Sequence, residues 1–126
     1  MSKGIIATKN SPAAIGPYNQ GTTVGGFVFT SGQLPIHPVT GEIPASIEAQ
    51  TTQVLENLKA IIEEAGLTLA DVVKATVYIS KMSDFQAMNQ VYATYFDQEP
   101  PARACVEAQM AKGALVEIDA IAYSSK

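Results

Sequence analysis

Between Ser46 and Gly66 apolar residues return every three or four positions. Ile47, Val54, Leu58, Ile61 and Ala65 form one stripe, widened by Leu55 and Ile62. That spacing predicts an amphipathic helix with a broad apolar face. Ser46 is its expected N-cap, Glu48 suits the first turn, and Gly66 is a candidate C-cap. A stripe this wide must be buried against another layer, and the remaining sequence supplies strands for it. Val73, Ala75, Val77 and Ile79 alternate with Lys74, Thr76 and Tyr78, which predicts a strand with one apolar face. The Thr-, Val- and Phe-rich runs 20–24 and 27–31 flank Gly25-Gly26, a hairpin signal. Residues 102–108 and 114–123 read as two final strands, joined through a turn containing Lys112-Gly113.

A second helix is expected to begin near Ser83, with Gln86 three residues on as a capping-box partner. Phe85, Met88, Val91, Tyr92, Tyr95 and Phe96 follow helical spacing, and Pro100-Pro101 bars any extension. Thr68 with Asp71 predicts one short capped turn, and residues 34–44, with Pro35, Pro38, Pro44 and Gly41, a polar loop. The order is ββ(β)αβαββ, an α+β fold: a mixed sheet with two helices on one face, in a single domain over 1–126. Strand–helix–strand passages should be right-handed.

Hydrophobic residues make up 47% and charged residues 16% of the 126, which excludes disorder. Charge this sparse, against about 25% in soluble proteins generally, points to surface covered by another subunit. The last two strands agree. Arg103, Cys105 and Glu107 alternate with Ala104, Val106 and Ala108; Glu117, Asp119 and Ile121 alternate with Val116, Ile118, Ala120 and Ala122. One set faces the helices. The other mixes apolar and charged groups, and sheets of identical subunits packed around an axis would cover it, so a closed homo-oligomer is expected.

The net charge is −4, no basic run exists, and Arg103 is the only arginine, so binding along a nucleic-acid backbone is disfavoured. With Cys105 the only cysteine and His37 the only histidine, neither an internal disulfide nor a Cys/His zinc cluster can be assembled within the chain. No run approaches about 18 apolar residues, so no membrane span is expected. Residues 1–7 lack the apolar core of a signal peptide, and a cytoplasmic location is the default expectation. No phosphate-binding glycine loop is present.

Among the residues that could carry chemistry, Arg103 offers a rigid fork of donors suited to a planar carboxylate; the alternative is a structural ion pair with Glu107 or Glu117. Glu117 lies in an apolar strand context, Leu115-Val116-Glu117-Ile118. A partly desolvated carboxylate there could orient or deprotonate a water, or be simply structural, with Asp119 two residues on. Cys105 reads as an inert buried thiol, and His37 as a solvated loop residue. The run Gly16-Pro17-Tyr18 carries a hydroxyl on a turn. Gly32, in Thr30-Ser31-Gly32-Gln33, would let a ligand approach the backbone. Phe27 and Phe29 share a strand face without basic companions and look like packing.

Taken together, Gly16-Pro17-Tyr18, Thr30-Ser31-Gly32-Gln33, Asn89 within Met88-Asn89-Gln90-Val91-Tyr92, the segment Pro100-Pro101-Ala102-Arg103-Ala104-Cys105-Val106-Glu107, and Val116-Glu117-Ile118-Asp119-Ala120-Ile121-Ala122 resemble the Rid (reactive intermediate deaminase, YjgF-like) family, and within it the RidA branch. The resemblance spans essentially the whole chain. It implies a chorismate-mutase-like fold, a homotrimer with sites between subunits, and hydrolysis of 2-imino acids and their enamine tautomers, such as 2-iminobutanoate and 2-iminopropanoate, to 2-keto acids and ammonia. It implies no cofactor and no metal. By matching positions, Arg103 would bind the substrate carboxylate and Glu117 would activate the attacking water, while Tyr18, Ser31, Gly32, Asn89 and Cys105 would line the pocket. Asp119 stands where many relatives carry Glu.

Overall fold

The computed structural model describes residues 2–124. Three short strands come first: β1 (Gly4–Ile6), β2 (Gly21–Val24) and β3 (Phe27–Thr30). The β2–β3 hairpin turns at Gly25 and Gly26, whose φ values of 55° and 88° are those a tight hairpin turn of two residues requires. Helix α1 (Ile47–Glu64) follows the 34–44 loop. The Ser46 hydroxyl accepts from the Ala49 N–H at 3.1 Å, as an N-cap should. At the other end Ala65 is the C-cap and Gly66, with φ 84°, turns the chain out of the helix.

A single turn of 3-10 helix, Leu69–Asp71, is held by the Asp71 carboxylate accepting from the Thr68 N–H at 2.9 Å. Strand β4 (Val72–Ile79), helix α2 (Phe85–Tyr95), strand β5 (Ala102–Glu107) and strand β6 (Val116–Tyr123) complete the chain. The six-stranded sheet runs β1-β2-β3-β6-β4-β5. Only β4 and β5 pair parallel; the other neighbours are antiparallel, so the sheet is mixed. The last two strands are joined in sequence but lie on either side of β4.

Both helices pack on one face. Val54, Leu55, Leu58, Ile61 and Ile62 of α1 are fully buried with Val77, Ile79, Val116 and Ile118 of the sheet and Met88 of α2. The other face is uncovered. Ile5, Val24, Phe27, Phe29, Val106 and Tyr123 stand on it, each 38–66% exposed. No described helix is long and apolar enough to cross a membrane.

Two expectations need correction. Val73 is not on the buried face: successive residues of β6, Ala122 and Ile121, pair with Val72 and Lys74, so Val73 is bulged out and 48% exposed. No capping box forms at Ser83. A 3-10 turn, Met82–Asp84, precedes α2, and the first N–H of the helix is satisfied by the Met82 carbonyl rather than by a side chain.

The polar side chains buried in α1 hold the loop beside it. Asn57 Nδ2 donates to the Leu34 and Ile36 carbonyls, both at 3.0 Å. Gln50 donates to the Pro44 carbonyl at 2.9 Å and accepts from the Leu115 N–H at 2.8 Å. Replacing Asn57 by leucine leaves both loop carbonyls without their partner, so Asn57→Leu should lower stability by about 2–4 kcal/mol in urea unfolding.

Candidate active site

Strand β5 is an edge strand, entered through Pro100-Pro101. Its register sets Arg103 beside Ala75 and Cys105 beside Val77, and both of those β4 residues face the helices. Arg103 therefore lies on the helix-covered face, at its rim. There Arg103 Nη1 donates to Asn89 Oδ1 at 2.6 Å. The guanidinium carbon sits 4.8 Å from the centre of the Tyr92 ring and 5.5 Å from that of Phe85. Both distances are in cation–π range. Phe85, Asn89 and Tyr92 recur at helical spacing on α2 and make one cradle. None of these partners is a carboxylate, so the structural ion pair with Glu107 or Glu117 does not form. Glu107 instead accepts from the Met82 N–H at 3.1 Å. A guanidinium has five N–H donors, and the cradle uses one, leaving an oriented fork for an anion.

Cys105 lies two residues along the same edge. Burial pushes its thiol up, and the Arg103 charge offsets this in part. The thiol expected to be buried is half-buried, with its thiolate disfavoured. At pH 8 its alkylation by iodoacetamide, followed by mass spectrometry, should be several-fold slower than that of glutathione.

Glu117 occupies the opposite face. In β6 the inward residues are Val116, Ile118, Ala120 and Ala122. Glu117 and Asp119 point the other way, across from Tyr78 and Thr76 of β4. Burial pushes the Glu117 carboxyl up, and the neighbouring Asp119 charge adds to this. Among the described residues Glu117 accepts no hydrogen bond, so its oxygens are free for a water. The Glu117 carboxylate rests directly on Gly32: a Cβ added there would overlap Oε2 and stand 3.0 Å from Cδ. Gly32 is thus needed for a close approach, as expected, but the group that approaches is the chain's own carboxylate. Gly32→Ala should displace the flexible end of Glu117, which can swing away, so stability in thermal unfolding should fall by less than about 1 kcal/mol.

The loops around Gly32 are organised by two buried glutamines. Gln20 accepts from the Thr8 N–H at 2.7 Å and donates to the Thr8, Ser11 and Pro12 carbonyls. Gln33 accepts from the Ser11 hydroxyl at 2.9 Å. Ser31 donates its hydroxyl to the Asn19 carbonyl at 2.5 Å. Tyr18, 49% exposed, lines a cavity of about 380 Å³ with Gly32, Gln33, Ile36 and His37. His37 is exposed and its Nδ1 accepts from the Val39 and Thr40 N–H groups, so it closes a turn. Among the described residues no three His, Cys, Asp or Glu side chains converge as a metal site.

The seven site residues read from sequence therefore fall into two groups. Arg103, Asn89 and Cys105 stand at the α2–β5 rim. Glu117 and Gly32 lie together on the far side of the sheet, with Tyr18 and Ser31 in the adjoining loops. Sequence reasoning missed the aromatic cradle of Arg103, although Phe85, Asn89 and Tyr92 at positions i, i+4 and i+7 carry its signal. It also missed the Tyr78–Asp119 contact and the two loop-holding glutamines, which only the strand pairing reveals.

Residues 8–124 match the family described as Endoribonuclease L-PSP. An Escherichia coli protein named 2-iminobutanoate/2-iminopropanoate deaminase is 50% identical, covering 97% of this chain and 98% of its own. A RutC family protein of Pyrococcus horikoshii is 54% identical over 96% of this chain and 98% of its own. Among solved structures, that of E. coli TdcF with bound serine superimposes with a TM-score of 0.94 at 47% identity, covering 96% of this chain and 98% of the other. RidA from an Antarctic Psychrobacter gives 0.91 at 44% identity, covering 94% and 98%. Likeness of this extent, in sequence and in backbone, makes the chain a member of the Rid (reactive intermediate deaminase, YjgF-like) family.

Proposed function

We propose that the protein hydrolyses small 2-imino acids, with 2-iminobutanoate and 2-iminopropanoate as model substrates, to 2-keto acids and ammonia. One observation carries the reading: Arg103, the only arginine, is fixed by Asn89, Tyr92 and Phe85 yet meets no carboxylate among the described residues. A substrate carboxylate completes its fork. The half-identical E. coli deaminase supports the same substrate class.

The reaction needs little machinery. The C=N carbon of an imine is electrophilic, and more so as the iminium. Arg103 binds the carboxylate and fixes that carbon in place. Glu117 accepts a proton from a water as its oxygen adds to the carbon, giving a tetrahedral carbinolamine. The proton held by Glu117 then passes to nitrogen; as the C–N bond breaks and ammonia leaves, Glu117 takes the hydroxyl proton, the keto acid remains, and that proton is released to solvent. Positioning and charge placement of this kind supply several kcal/mol without a covalent intermediate. Tyr18, Ser31, Gly32 and Cys105 complete the pocket in this reading, and neither cofactor nor metal takes part.

Arg103 and Glu117 stand on opposite faces of one sheet, so one copy cannot present both to one ligand. The reading therefore includes a homotrimer in which Arg103 of one copy meets Glu117 of the next. The uncovered face, with Phe27, Phe29 and Tyr123, supplies apolar surface for such packing. A cytoplasmic setting belongs to the same proposal. The family's description names an endoribonuclease, but a net charge of −4 and a single arginine disfavour that reading here.

The test generates imines with an amino-acid oxidase and follows ammonia release. Wild type should accelerate it; Arg103→Ala and Glu117→Gln should each lose the acceleration while remaining assembled. Co-expressed in equal amounts, the two inactive variants should recover about one quarter of the wild-type activity, since random assembly of a cyclic trimer pairs an intact Arg103 with an intact Glu117 at that fraction of interfaces. Full activity in Arg103→Ala would sink the carboxylate role, and no recovery on mixing would sink the shared site.

A further inference from the structure

The geometry points to Asp119 as a positioning residue for Glu117: its carboxylate takes the Tyr78 hydroxyl that stands across from Glu117 and sets a negative charge beside the Glu117 oxygens on the same sheet face. This rests on the role given to Glu117 above. Residues two apart on a strand project side by side, so Glu117 and Asp119 share one face of β6. Tyr78 stands directly across from Glu117 but reaches diagonally, its hydroxyl donating to Asp119 Oδ2 at 3.3 Å. The donor nearest in register to Glu117 is thereby committed to its neighbour, and Glu117 keeps both oxygens for solvent.

The charges around the pair favour this division. Burial pushes the Asp119 carboxyl up, and on β4 the Tyr78 hydroxyl and the Lys74 charge offset this in part. On β6 burial first, and then the Asp119 charge, favour the protonated form of Glu117. The tyrosine hydroxyl itself is pushed up by Asp119 first, then by burial and by Glu117, so it remains a donor. β3 and the segment after it bring Phe29, Thr30 and Gly32 to this region, none of them charged. In the proposed trimer Arg103 of a neighbouring copy would act on Glu117 in the opposite sense, in wild type and variants alike, and so leaves the comparison between them intact. Two adjacent carboxylates thus differ in their partners: Asp119 has a hydroxyl donor and Glu117 has none among the described residues, so Glu117 is the one left to exchange a proton with water.

The test follows the titration of carboxyl-labelled glutamate by carbon-13 NMR, with Glu117→Gln identifying the Glu117 signal. Asp119→Asn should move the Glu117 midpoint down by about half a pH unit or more, as removal of one adjacent like charge does. Activity on the acid side needs Glu117 deprotonated, so the acid limb of kcat/KM should move to lower pH with it. Asp119→Glu should restore the wild-type midpoint, and Tyr78→Phe should give a smaller shift in the same direction. An unchanged midpoint in assembled Asp119→Asn overturns the proposal. If that variant fails to assemble, an unmoved midpoint in Tyr78→Phe overturns it equally. A midpoint that shifts as expected, while Glu117→Gln turns over imines at the wild-type rate, upholds the coupling and overturns the catalytic reading of Glu117 instead.

Discussion

Burial of the α1 stripe against β4 and β6 is the constraint on which the rest of this structure depends. Val54, Leu58 and Ile61 have no exposed surface, and the sheet residues they meet, Val77 and Ile118 among them, have none either. Apolar burial on this scale is the main favourable term available to a chain of this size. It assigns one sheet face to the helices, and strand alternation then dictates where every other side chain goes. Arg103 and Cys105 inherit the helix side because β5 pairs with β4 in a register matching Ala75 and Val77. Glu117 and Asp119 inherit the open side because their neighbours Val116, Ile118 and Ala120 are committed inward.

The two groups of site residues owe their character to these surroundings. At the rim of α2 a guanidinium is held by one hydrogen bond and two aromatic faces, which orient it without neutralising it. On the open face a carboxylate is half-buried, rests on a glycine and has a second carboxylate beside it. The first arrangement suits recognition of an anion, the second suits exchange of a proton with water. Neither needs a nucleophilic side chain, which accords with a thiol at Cys105 that burial pushes up.

Much of this was legible in the sequence because it depends on local period and local chemistry. The α1 stripe, its Ser46 cap, the Gly25-Gly26 hairpin and the Thr68–Asp71 turn are all set by residues within a few positions of one another. The family segment around Arg103 and that around Glu117 were legible as motifs. What escaped depends on pairing between distant elements. Val73 fits the alternating pattern, and only the bulge opposite Ile121 and Ala122 puts it outside. Gln86 has the spacing of a capping-box partner, but a 3-10 turn takes the helix start. Gln20, Gln33, Gln50 and Asn57 look like surface residues by composition and are buried because loop carbonyls and amides need partners. Arg103 and Glu117 read as natural companions until the strand order shows β4 lying between β5 and β6.

That placement back to back has a consequence for how this chain could work at all. No hinge, loop closure or side-chain rearrangement inside a single protomer carries a guanidinium through a hydrogen-bonded sheet. Flexibility, the usual remedy for a misaligned pair of groups, is therefore closed to Arg103 and Glu117. If they ever grip the same small molecule, contact between separate copies of the chain has to do it, and the geometry of that contact becomes part of the chemistry.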